Sequence, residues 1–104
     1  MDANLDYRIY HTNDKQEISE NWRADVERSR REDGTDYSGA IGTLGGSIHW
    51  QVGVHKTLKE AIEYIDNNHE KGDIAMAVPF LIASNRHCKR NGQVGYVLGG
   101  LCPE

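Results

Sequence analysis

Five histidines, two cysteines and one basic cluster are the residues of this 104-residue chain with the most chemistry to offer. His11, His49, His55, His69 and His87 invite a metal reading, but no two of them have the i, i+4 spacing that puts two ligands on one helix face, and there is no Cys-x-x-Cys. His49 and His55 would stand about 20 Å apart along a straight strand, too far to share one ion. Only adjacent His87 and Cys88, joined by Cys102, would assemble three ligands. No metal and no cofactor is expected, and there is no glycine-rich phosphate loop between a strand and a helix.

Cys88 lies between Arg86, His87, Lys89 and Arg90. Cationic surroundings favour thiolate over thiol, which is how reactive cysteines arise, yet no carboxylate or amide can be assigned to orient the imidazole. The same cluster suits an anion, a phosphate or an acidic patch on a protein partner. A second constellation needs a fold to assemble it. If Arg8 and Tyr10 from one strand stood beside His49 and Gln51 from another, a cation, a hydroxyl, an imidazole and an amide would converge on one small anionic ligand. Ala40, Gly42, Ala75 and Ala77 would floor that site with small side chains.

Positioning these groups falls to five expected strands and two helices. Leu5 to His11 alternates with period two and reads as the first strand. Asp14 and Glu17 have capping-box spacing, and Ile18, Trp22 and Val26 form a narrow apolar stripe on a helix that Asp33-Gly34 ends. Tyr37 to His55 reads as a hairpin turning at Gly45-Gly46, with Tyr37, Ile41, Ile48, Trp50, Val52 and Val54 on its apolar face. Thr57 and Glu60 form a second capping box, and Leu58, Ala61, Ile62 and Ile65 follow helical spacing up to a stop at Lys71-Gly72. Ile74 to Ile82 reads as a strand in which Pro79, lacking an N–H, implies a sheet edge or a bulge. After a polar loop, Ser84 to Gly92, comes a last strand from Gln93 to Leu98, pairing with its predecessor as a looser hairpin before a glycine-rich tail.

This order predicts a single α+β domain over residues 1–104. The expected architecture is a two-layer sandwich, ferredoxin-like β-α-β-β-α-β with an appended C-terminal strand, both helices packed on one face of an antiparallel sheet. The other face, carrying Arg8, Tyr10, His49 and Gln51, would be open.

A net charge of −4 argues against a protein whose task is neutralising phosphates, and the basic aromatic consensus of RNA-recognition domains is missing, so nucleic-acid binding is disfavoured. The first residues are acidic rather than signal-like and no apolar run is long enough to span a bilayer, which predicts a cytoplasmic protein with reduced thiols and no membrane partner. The expected function is a non-enzymatic protein-interaction or regulatory module, such as an accessory protein of a phage or other mobile element, binding a protein partner or itself as a homodimer. The alternative is a small-molecule or anion-binding protein, or a modest enzyme, using the sheet face; RNA binding is a further alternative.

Overall fold

A computed structural model describes residues 2–82 and 93–104. Strand β1, Ala3–Tyr10, is followed by helix α1, Lys15–Asp33; a 3-10 turn, Ile41–Thr43, precedes strand β2, Gly45–Trp50; helix α2, Leu58–Asn68, leads to strands β3, Ile74–Leu81, and β4, Val94–Pro103. Both helices begin where their caps predict. The Asp14 carboxylate accepts from the backbone N–H groups of Gln16 and Glu17, and Thr57 Oγ1 accepts from that of Glu60 at 3.1 Å, satisfying donors with no intrahelical partner. Gly34, at φ +97°, ends α1 with its N–H on the Arg30 carbonyl. α2 stops earlier than the Lys71-Gly72 signal, at His69.

The sheet is mixed and ordered β1-β4-β3-β2, so the antiparallel ferredoxin-like arrangement is not the one adopted. β4 pairs antiparallel with both β1 and β3, whereas β2 runs parallel to β3, with α2 as the connection between them. β3 and β4 are antiparallel neighbours, as a looser hairpin requires, but β4 continues through Gly99 and Gly100 to Pro103, so the expected tail is strand.

The largest departure is the hairpin, of which only Gly45–Trp50 is a strand: the expected turn Gly45-Gly46 lies within it, and Val52 and Val54, expected on the apolar face, are exposed beyond its end. Tyr37 sits at φ +53° and Gly39 at φ +71°, both incompatible with an extended run. Groups far away in sequence hold the segment instead. Ile41 N–H donates to Asp6 Oδ2 at 2.9 Å, Gly42 N–H to Ser29 Oγ at 3.0 Å, and Gly39 N–H to the Pro103 carbonyl at 2.8 Å. Arg30 Nε donates back to the Gly42 carbonyl. Ile41 and Leu44 are buried as a result, and β2 finds its partner in β3.

Pro79 lies in an interior strand, contrary to its edge signal, and hydrogen-bond parity explains why this is tolerated. Gln51 and His55 donate to the carbonyls of Ala77 and Pro79, and Leu81 donates to His55, so the odd-numbered residues of β3 turn their backbone groups toward β2. The N–H that Pro79 lacks would face residues 52–54, where the β2 ladder is interrupted.

Alternation divides the core. Tyr10, Ile48, Trp50, Ala75, Ala77, Tyr96 and Leu98 cluster with Ile18, Trp22 and Val26 of α1. Leu5, Tyr7, Ile9, Met76, Val78, Phe80 and Val97 cluster with Ala61 and Ile65 of α2. Neighbouring residues of a strand point to opposite faces, so each helix covers its own face and the two do not share one. Ala75 and Ala77 do make a floor of small side chains, but α1 sits on it, not solvent. Among the described residues no helix is long and apolar enough to cross a membrane.

Candidate interaction site

Opposed faces separate the four residues expected to converge. Arg8 Nη1 donates to Asp6 Oδ1 at 3.1 Å and to the Tyr7 carbonyl at 2.8 Å, while Tyr10 lies under α1 and its hydroxyl donates to Asp25 Oδ2 at 2.7 Å. His49 is on the α2 side, in a shallow hollow with His69 and Asp73, and Gln51 Oε1 accepts from the Tyr64 hydroxyl of α2. Arg8 and Tyr10 therefore do not meet His49 and Gln51. Arg86, His87, Lys89 and Arg90, with Cys88, lie outside the described residues. No group of three or more His, Cys, Asp or Glu is placed to hold a metal ion among the described residues. Cys102 is a buried free thiol, pushed up to about 11 mainly by burial, so it is poorly nucleophilic near neutral pH.

Burial raises the Tyr10 hydroxyl well above the usual tyrosine range, and the hydrogen bond to the Asp25 carboxylate and its negative charge push the same way. The folded state holds this proton more tightly than the unfolded chain, so its stabilising contribution is complete below about pH 10 and is lost as pH rises beyond it. Urea midpoints measured from about pH 8 to about pH 11 should fall more steeply for the wild type than for Tyr10→Phe. Parallel slopes would show that Tyr10 is not the titrating group.

A concavity lies between α1 and β2. It is a cavity of about 300 Å³, lined by Trp22, Val26, Ile48 and Trp50 with Arg23, Glu27 and Arg30 around them. The helix stripe supplies Trp22 and Val26, and strand alternation brings Ile48 and Trp50 to the same face. Trp50 is fixed by an edge-to-face contact with Tyr96, ring centroids 5.2 Å apart, and Lys15 Nζ stands 5.3 Å from its ring. Trp22 is only 2% exposed, and its indole N–H has no hydrogen-bond partner among the described residues.

The outer side of this groove is a sheet edge. Because Gln51 N–H turns inward to the Ala77 carbonyl, the backbone groups of Ile48 and Trp50 turn outward. No family model, curated protein or solved structure matches the chain. Among the described residues the groove holds aromatic and aliphatic surface, cations and the outward main-chain groups of an edge strand, and no nucleophile–base pair.

None of this groove was among the expected site residues. Trp50, Ile48 and Trp22 were legible as apolar positions. That they flank a cavity depends on β2 being an edge, which follows from strand order.

Proposed function

We propose that this protein is a non-enzymatic interaction module that takes up an extended segment of a protein partner along the free edge of β2. The observation that carries this reading is that edge itself. Natural sheets blunt their edges with lysine, proline, a bulge, short length or a covering element. GlyGlySerIleHisTrp is short and irregular between Gly45 and Ile48, but it contains neither lysine nor proline and its Ile48–Trp50 part pairs regularly with β3. The opposite edge, β1, carries the Asp6–Arg8 pair, and its Asn4 and Asp6 side chains hold the 39–41 segment. Immediately after β2, Val52 is 93% exposed and Val54 half exposed, extending apolar surface beyond the strand.

Strand addition uses main-chain hydrogen bonds for attachment and side-chain pockets for selectivity. Each bond contributes only about 0.5–1.5 kcal/mol net, and a buried anchor side chain about 1.5–3 kcal/mol, so a short edge such as β2 needs the neighbouring cavity to reach useful affinity.

Peptides selected from a random displayed library on the purified protein should slow hydrogen exchange at the Ile48 and Trp50 amides. Protection elsewhere, with these amides unchanged, would overturn the reading. So would a sedimentation result in which the protein alone is a dimer with both amides already protected, because the edge would then belong to a second copy.

A further inference from the structure

We infer that the segment received by β2 is acidic and carries one bulky apolar side chain that enters the cavity between Trp22 and Trp50; this rests on the strand-addition reading above. Two observations define the partner. The first is charge. Around the cavity stand Arg23 and Arg30, with Lys15 over Trp50, against one carboxylate, Glu27, in a chain whose net charge is −4. Arg30 is occupied in part, donating to the carbonyls of Gly42 and Leu44, but Arg23 makes no ion pair among the described residues and is exposed. A local excess of cations on an acidic protein attracts acidic segments and repels basic ones.

The second observation is shape. A cavity of about 300 Å³ walled by Trp22, Val26, Ile48 and Trp50 is at the lower limit for a small-molecule pocket and suits a leucine or aromatic side chain. Alternate residues of an added strand project to the same face, so an anchor entering beside Ile48 and Trp50 places its next-but-one neighbours near Arg23 and Lys15. The expected partner pattern is an acidic residue, a spacer, the anchor, a spacer and a second acidic residue. An apolar anchor beside aromatic side chains, with charged groups at its rim, is the usual distribution of energy in an interface.

The test runs the peptide selection in parallel on the wild type and on Arg23→Glu, and measures the affinity of the selected peptides for both and for Gly46→Met. Gly46 lines the cavity, has open space where a side chain would begin and has no left-handed φ, so Gly46→Met should fold normally while crowding the cavity mouth. Wild-type selections should be enriched in Asp and Glu flanking a leucine or aromatic residue, and binding should weaken at least about tenfold in both variants, with unchanged thermal midpoints. Selected peptides that protect the Ile48 and Trp50 amides but show no acidic bias, or bind Arg23→Glu equally well, would overturn this inference and leave strand addition standing. A selection that enriches nothing would overturn both.

Discussion

Gly99→Ala should lower the thermal midpoint by roughly 12–24 °C, the equivalent of about 3 kcal/mol for a domain of this size. β4 is sandwiched between β1 and β3, and Gly99 is paired with Tyr7 on one side and Met76 on the other. A Cβ there would collide with the Asp6 carbonyl oxygen and stand 2.6 Å from Tyr7 Cα. These are main-chain atoms of a hydrogen-bonded strand, so no side-chain rotation relieves the clash and the β1–β4 ladder must part. Gly46→Ala is the natural control, since a Cβ at Gly46 meets nothing within 4 Å. It should leave stability unchanged or raise it slightly, because alanine loses less backbone freedom on folding. Circular-dichroism melts of the two variants would decide the matter. A Gly99→Ala protein melting like the wild type would mean that the two strands do not approach so closely.

His69→Ala should cost about 2–4 kcal/mol. The ring closes the end of α2 against the sheet, with Nδ1 accepting from the Leu101 N–H and Nε2 lying 2.9 Å from the Ile74 carbonyl. An acceptor nitrogen carries no hydrogen, so the ring proton sits on Nε2 and is donated to Ile74. Truncation leaves a donor and an acceptor unpartnered and opens a void beside Gly100, where a Cβ would strike the imidazole. That last contact supplies the sharper test. Gly100→Ala alone should be strongly destabilising, yet in the His69→Ala background the added methyl would occupy vacated space and cost little. The double variant should therefore be more stable than the sum of the single losses predicts, by at least about 1 kcal/mol. Simple additivity in urea titrations would rule out this packing.

Much of the local structure was legible. Asp14 and Thr57 announce both helices because a cap is a matter of a few adjacent residues, and period-two alternation from Leu5 to His11 marks β1, which spans Ala3–Tyr10. The first half of the expected hairpin was not legible. Its alternation is real, but it loses to Asp6, Ser29 and Arg30, whose side chains take the backbone groups of Ile41 and Gly42 from outside any local window. Strand order was misjudged for a related reason. Pro79 signals an absent donor, which a sheet interior tolerates where the neighbouring ladder is interrupted. With α1 and α2 taken as sharing a face, Tyr10 and His49 fell together, whereas in the structure the sheet itself lies between them.

The pairing of β1 with β4 also bears on how fast the molecule is made. Ala3 lies opposite Pro103 and Tyr10 opposite Tyr96, so among the described residues β1 pairs with β4 alone, across a long stretch of sequence. The β2–α2–β3 unit is the more local one, and β1 can dock only once residues 94–103 have been synthesised. Closing so long a loop makes folding slower than that of a fold built from local contacts. Until then β1 and the inner strands expose unpaired edges, and the nascent chain is at its most vulnerable to aggregation in that interval.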